Sequence, residues 1–469
     1  MVKAGVITLF EKGIEDYINN ERMPEEGGKL RAFMTEDRNR IITQAAKYFD
    51  VCDGGNLVQP DDADRISVFF EGQNIKVLII VSMFWSGDKP LLKLLRCLAQ
   101  LPLIYWCYAP DETLPDHMLM YDLYRRSGAV GAMQNCAPLA RMGKKYSIVF
   151  GSPGSKDLEK ELGDYAAAYD AFFALEGTRI GQFCGRYEEM TGTYIDEFRL
   201  LARFGINMAY ITPGRLLKAA ESIPDKEIHT YMDELDRRCE NKGVSKQALY
   251  YAVKVSMAVE RVAKEEDLSI IAIEDFNVEM HGIFKTRPQL WVPGLTERGI
   301  TVAMEGDVNA ALAMWISRRL GKTTPMYTEM FAFDQKRNGV LFGHASMQDL
   351  ELAGNNPLTL IPDAELCMFT ESEGAWVHFK GKPGPVTANS IFGAEGDYTA
   401  AMFTGSAEYS DILDIHPNVF VKLDMPVRDF FKVLMKRGMN QHFSVSYDDI
   451  AEKWRRFCEI ANLDLFEPV

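Results

Sequence analysis

Nowhere does this chain of 469 residues offer the apolar run of about 18–20 residues that would cross a bilayer. "IKVLIIVSMFW" is too short and reads as a buried strand. The opening "MVKAGVITLFEKG" lacks the apolar h-region and small-residue cleavage site of a signal peptide, and reads as a first strand. Positive charge is in deficit: 52 Lys and Arg stand against 67 Asp and Glu, a net charge of −15. A nucleic-acid partner or an anionic membrane demands a basic stripe, so neither is expected. The eight cysteines (52, 97, 107, 136, 184, 239, 367 and 458) form no CxxC pair. That spacing excludes a zinc site and a disulfide framework, and implies reduced, mostly buried thiols in a cytoplasmic protein. Walker loops, GxGxxG turns, internal repeats and low-complexity segments are also missing.

What is present is an ordinary globular composition, 47% hydrophobic and 25% charged, in a chain too long for one core. The first third alternates apolar runs ("KAGVITLF", "IKVLIIVS", "LPLIYWCY", "KYSIVFG") with helical patterns ("TEDRNRIITQAAKYF", "KPLLKLLRCLAQ"). Near-continuous apolar strands separated by helices imply a parallel sheet covered on both faces. "GSPGSKD" marks a loop, an Ala-rich helix follows, and the alternation restarts with "TRIGQFCG", "INMAYIT", "LSIIAIEDF" and "GITVAM" as strands. The helix "TYIDEFRLLARFG" should stop at Gly205, and three helical stretches are expected between 213 and 265. Beyond about 323 short strands with Gly, Pro and Asn turns take over, with little helix until "SYDDIAEKWRRFCEIA". That is an antiparallel, barrel-like pattern. The fold class is therefore α/β, with parallel-sheet domains over 1–174 and 175–322 and a β-barrel-like domain over 323–469.

Four polar side chains stand out. "GITVAM" runs into Glu305, Asp307 is a good N-cap, and Val308, Leu312, Ile316 and Leu320 form an i, i+4 stripe ending at Gly321. Glu305 thus sits at the carboxyl end of a strand, the edge where open α/β sheets place ligands. Glu329 lies in the apolar stretch "PMYTEMFAF". Of seven histidines, His344 follows "GVLFG" and His442 sits in "MNQHFSV", before a strand-like segment. Each alone is as readily a structural residue. Together, two Glu and two His make a ligand set that a divalent ion such as Mn²⁺ accepts, with positions left for substrate oxygens.

"RGITVAMEGDVNAALAMW", "TEMFAF", "NGVLFGHASM" and "NQHFSV" resemble the L-arabinose isomerase and L-fucose isomerase-like group of metal-dependent aldose–ketose isomerases. "WVPGLTERGI", "IIVSMFWSGDKPLLKLL", "RIGQFCGRYEEMTGTYIDEFRLLARFGI" and "GKPGPVTANSIF" carry the likeness over most of the chain. The resemblance implies two Rossmann-like domains and a C-terminal barrel. It implies Mn²⁺, or another divalent cation such as Mg²⁺ or Co²⁺, held by Glu305, Glu329, His344 and His442. It also implies a homo-oligomer, a hexamer being favoured, with active sites at subunit interfaces. Substrate contacts are carried over to Phe84, Trp85 and Arg126. The chain departs from arabinose isomerases there: Ser82 and Met83 replace His-Thr ahead of Phe84, and "DLYRRSG" puts Arg126 where a histidine is expected. L-Arabinose is thereby disfavoured, and Arg125 with Arg126 suggests an anionic sugar. Trp85, Trp291 and Trp376 are candidates for stacking on sugar, with core packing as the plainer role.

The expected reaction moves a carbonyl between C1 and C2 of a monosaccharide through a cis-enediol, Glu305 and Glu329 serving as acid and base. The alternatives are a hydride shift, an epimerase or lyase using the same site, and a non-catalytic sugar-binding or regulatory protein.

Overall fold

The computed structural model describes residues 1–363, 365, 373–394 and 397–468. It falls into two compact units, Met1–Asp170 and Ala171–Val469.

In the first unit five strands, β1 (Lys3–Leu9), β2 (Asp50–Leu57), β3 (Val77–Ser82), β4 (Leu103–Tyr108) and β5 (Ser147–Gly151), form one parallel sheet in the order β2-β1-β3-β4-β5. All six residues of β3 are buried, as a parallel sheet with helices on both faces requires. Ile7, Leu78 and Ile80 pack with Leu91, Leu94 and Leu95 of the helix Lys89–Cys97. No strand was expected at Asp50–Leu57, where two glycines interrupt the apolar pattern. Gly54 is required there by close approach: a Cβ on it would lie 2.8 Å from Ile7.

The second unit opens with β6 (Arg179–Phe183), β7 (Asn207–Ile211), the short β8 (Glu240–Asn241), β9 (Ile270–Ile273) and β10 (Thr301–Met304). β10-β9-β6-β7 form a parallel sheet. The helix Glu197–Phe204 ends at Gly205 with φ 69°, the expected left-handed stop. The helices Pro213–Glu221, Asp225–Arg238 and Lys246–Glu265 occupy the three stretches foreseen from sequence.

Then come β11 (Met326–Asp334), β12 (Gly339–Gly343), β13 (Thr359–Pro362), β14 (Ala375–His378), β15 (Gly384–Ala394), β16 (Asp397–Glu408), β17 (Asn418–Leu423), β18 (His442–Ser446) and β19 (Asp464–Phe466). Six of them, in the order β15-β18-β11-β12-β17-β16, close into an antiparallel barrel through the β15–β16 pairing. The architecture is α/β with a C-terminal barrel, as expected. The shortage of helix expected before Ser446 is corrected by the helix Val427–Arg437, which buries Phe430 and Leu434. Phe430 meets Phe403 in an edge-to-face contact at 4.8 Å. The C-terminal helix Ala451–Ala461 docks through Trp454, Phe457 and Cys458.

One helix joins sheet and barrel within this unit. Val308–Gly321 packs on β9 and β10 on one side and on β15 and β18 on the other. Val308 to Ser317 are buried without a break, so the helix is covered on every face rather than along the expected stripe alone.

No disulfide links the described cysteines. Cys52, Cys239 and Cys458 are buried, three more are half-buried and Cys97 is exposed, so the thiols are less buried than expected. Cys367 lies outside the described residues. No described helix is long and apolar enough to cross a membrane.

Candidate active site

The carboxyl edge of the parallel sheet in the second unit collects acids. β9 ends into Glu274 and Asp275; β10 ends into Glu305, with Asp307 two residues on. Glu305 and Gly306 both take left-handed backbone angles, φ 60° and 68°. A residue with a Cβ pays about 1–2 kcal/mol for that conformation. Neighbours hold it there. The Glu305 N–H donates to Asp275 Oδ1 (3.0 Å), and the Tyr187 N–H donates to the Glu305 carbonyl (3.2 Å). Gly306 is obligatory, since a Cβ would stand 2.6 Å from the Arg186 Cα. The reversal turns the Glu305 side chain toward the barrel, and Asp307 then caps the next helix, accepting from the Ala310 N–H at 3.0 Å.

The barrel supplies the remaining groups by register. Glu329 of β11 pairs with His442 of β18 on one side and Gly343 of β12 on the other. His344 follows Gly343 directly. The outcome is a buried group of Glu305, His344 and His442, one ligand atom of each lying within 4.8 Å of the others. His442 Nε2 stands 3.0 Å from Glu305 Oε2, and His344 Nε2 stands 3.8 Å from Glu305 Oε1. Glu329 borders the group, its Oε2 4.0 Å from His442 Nε2 and its side chain 31% exposed.

The outer partners set the imidazoles. His442 Nδ1–H donates to Asp307 Oδ2 (2.8 Å) and His344 Nδ1–H donates to the Ala345 carbonyl (3.0 Å). Each ring thereby presents its Nε2 to the site, the orientation a metal ligand needs. Tyr327 packs against both rings, with centroids 4.6 Å from His344 and 5.1 Å from His442. His344 Nε2, His442 Nε2 and Glu305 Oε2 are all buried without a hydrogen-bond partner. Three converging orphaned atoms, two imidazole nitrogens and a carboxylate oxygen, fit a divalent cation.

Electrostatics agree. Burial depresses the His442 imidazolium, but the carboxylates of Asp307 and Glu305 outweigh it and push its pKa up to about 10. Without a cation, a proton fills the role of positive charge between those carboxylates. Glu305 is raised by burial and lowered further by the two histidines, and ends below its ordinary value. Burial pushes Glu274 up to about 8 and Asp275 to about 6, each with a neighbouring carboxylate adding to the shift. Asp275 is tied down by Arg287 Nη1 (3.0 Å) and Gln289 Nε2 (3.0 Å). Arg287 is fully buried and also grips Asp363 through Nε (2.6 Å) and Nη2 (2.9 Å), and Glu365 through Nη2 (2.7 Å).

Glu305, Glu329, His344 and His442, singled out from sequence, therefore come together in the second unit. Phe84, Trp85 and Arg126 belong to the first. Phe84 is buried, and Trp85 is 40% exposed with its indole N–H donating to Gln134. Both follow the carboxyl end of β3, beside β1, where this strand order reverses direction. Arg126 is paired with Asp111 (3.0 Å) and Asp122 (3.5 Å), and Arg125 makes a two-bond clamp on buried Asp37. Neither arginine is an uncommitted cation. Trp291 and Trp376 are buried, in the packing role. Asp275, Glu274 and Arg287 were not foreseen. The signal for the two acids was available, since "IIAIEDF" ends a strand as "TVAMEGD" does.

No family model matches the chain. Curated relatives match at low identity. A sulfoquinovose isomerase of Alkalicoccus urumqiensis is 23% identical over 69% of this chain and 72% of its own. One of Priestia aryabhattai is 20% identical over 84% of this chain and 86% of its own. An L-arabinose isomerase 2 of Clostridium acetobutylicum is 22% identical over 62% of this chain and 61% of its own. Together with the sheet, the barrel and the carboxylate–histidine group, these relatives support a remote relationship to the arabinose isomerase and fucose isomerase-like group of sugar isomerases.

Proposed function

We propose that this enzyme interconverts an aldose and a ketose, acting on a monosaccharide with Mn²⁺, or a related divalent cation, held by Glu305, Glu329, His344 and His442. The observation that carries the proposal is the convergence of buried, unpartnered Nε2 and carboxylate atoms at one sheet edge, with half-open Glu329 beside them. When bound, the cation would polarise the sugar carbonyl and stabilise negative charge on the adjoining oxygens. The chain's own residues do the rest. Asp307 and the Ala345 carbonyl hold the imidazoles in the ligating tautomer. Asp275 fixes the backbone of Glu305. Glu305 and Glu329 exchange the proton between C1 and C2, one as base and the other as acid, through a cis-enediol.

Relatives named for sulfoquinovose make a sugar bearing a sulfonate the leading substrate candidate. The cytoplasm is the proposed compartment, and a homo-oligomer, a hexamer with active sites at subunit interfaces, the proposed assembly. The decisive experiment is a screen of aldoses and ketoses, acidic and sulfonated ones included, with and without Mn²⁺. Glu305→Gln should lose at least a thousandfold in kcat while its circular dichroism stays that of the parent. Full turnover by that variant ends the proposal. Solvent hydrogen appearing at C1 of the ketose product, or at C2 of the aldose in the reverse direction, supports the enediol, and its complete absence indicates a hydride shift. Tight metal-independent sugar binding without turnover indicates a binding protein instead.

A further inference from the structure

We propose that Arg186 receives the anionic end of the substrate, which makes a sugar carrying a sulfonate or similar acid the substrate class. The inference rests on the isomerase reading above and deepens it. The carboxylates of Glu305, Asp307 and Glu329 surround the histidines of the site. An anionic sugar entering it needs a cation besides the metal.

The arginines expected from sequence are committed elsewhere, Arg125 to Asp37 and Arg126 to Asp111 and Asp122. Arg287 lies near the site but is buried and bonded to Asp275, Asp363 and Glu365. Arg186 differs. It is half-buried at the carboxyl end of β6, on the same sheet edge as Glu305. Its only hydrogen bonds among the described residues run from Nη1 to the Tyr187 and Met190 carbonyls. Among the described residues no carboxylate lies within ion-pairing distance of it. Glu274 is close enough to feel the guanidinium charge but makes no ion pair with it; the Nε and Nη2 donors are uncommitted, and a planar fork of donors suits the oxygens of a sulfonate or carboxylate.

The loop bearing Arg186 is anchored to the site at separate points. The Tyr187 N–H donates to the Glu305 carbonyl (3.2 Å), Gly306 has no room for a Cβ beside the Arg186 Cα, and Gln441, next to His442, donates to Met190 Sδ (3.4 Å). Tyr187 and Phe276, rings 5.5 Å apart, form an aromatic wall next to it. Cation, aromatic wall and metal-ligating group thus share one edge of one unit.

The test compares sulfoquinovose with glucose in the Mn²⁺-loaded full-length protein, by kcat/KM and by calorimetric binding. The parent should prefer the sulfonated sugar. Arg186→Gln should cut that preference at least tenfold, the scale of a lost charge-assisted hydrogen bond, with the loss in KM and Kd. Arg186→Lys keeps the charge without the fork and should fall between. An unchanged preference in Arg186→Gln overturns the assignment, as does loss of preference in Arg126→Gln instead. A parent that isomerises glucose and binds sulfoquinovose no better also overturns it, and leaves the isomerase reading standing. Sulfoquinovose binding that depends on Arg186 without any turnover does the reverse: the anion site stands and the isomerase reading falls.

Discussion

His442 carries the most information of any single residue here. It sits between Asp307, which fixes its tautomer, and Glu305, which faces its open nitrogen. Asp307→Asn keeps the shape and removes the charge that orients the ring. Metal affinity should fall about 10–100-fold, as for other lost outer partners, and calorimetric Mn²⁺ titration reads it. The same geometry predicts a pH dependence. The His442 pKa is raised from 6.5 to about 10, so its contribution to stability is complete below about pH 6.5 and is lost as pH rises through about 10. Glu274, raised from 4.5 to about 8, and Asp275, raised from 3.8 to about 6, act with the same sign, since folding favours their protonated forms. The metal-free protein should therefore show a thermal midpoint that declines from pH 6 to pH 9.5. Saturating Mn²⁺ should flatten the decline, because the cation replaces the proton on His442. An equal slope with and without Mn²⁺ contradicts the ligand assignment. At this scale the sequence was readable where a strand visibly ended. Glu305 announced itself by following "GITVAM", while Asp307 was legible only as an N-cap. Its second role toward His442 depends on a partner 135 residues away, which no local pattern encodes.

Strands and helices decide whether those residues meet. Glu329 lies between Gly343 and His442 only because β11 pairs with β12 and β18 in one register, and a one-residue slip would send it to the opposite face. Gly343 is the tight point: a Cβ there would come within 2.7 Å of the Phe331 ring and the Pro417 carbonyl. Gly343→Ala should displace His344, next in sequence, and lower Mn²⁺ affinity more than it lowers the denaturation midpoint. The helix Val308–Gly321 gives the converse case. Leu312 is fully buried in it, and Leu312→Ala should cost about 2–5 kcal/mol in chemical denaturation with the ligands themselves untouched. Regular apolar strands such as β3 and β10 were plain in the sequence, because burial on both faces leaves a continuous apolar run. β2 was not, since its glycines serve packing against β1 rather than any pattern of its own. Val427–Arg437 was hidden among strands because tertiary contacts through Phe430 and Leu434 sustain it.

For the whole molecule the question is which parts respond to which ligand. All four proposed metal ligands belong to the unit Ala171–Val469. A cation at 100 times its Kd stabilises the state that binds it by about 2.7 kcal/mol. Amide hydrogen exchange should register that as slowed exchange in β10, β11, β12 and β18, with the unit Met1–Asp170 unchanged by Mn²⁺ alone. Sugar is a different probe. Phe84, Trp85 and Arg126 were assigned to the substrate by family resemblance, and they follow β3 or lie in the helical segment after β4. If those residues contact the sugar in the proposed oligomer, adding substrate to the Mn²⁺-loaded protein should slow exchange around 83–86 and 121–127. The effect should belong to the oligomeric fraction from size-exclusion chromatography and vanish in any monomer. Protection confined to the second unit under every condition would remove the three residues from the substrate site. It would leave Glu305, Glu329, His344 and His442 as a self-sufficient centre, with no need for a neighbouring subunit to complete it.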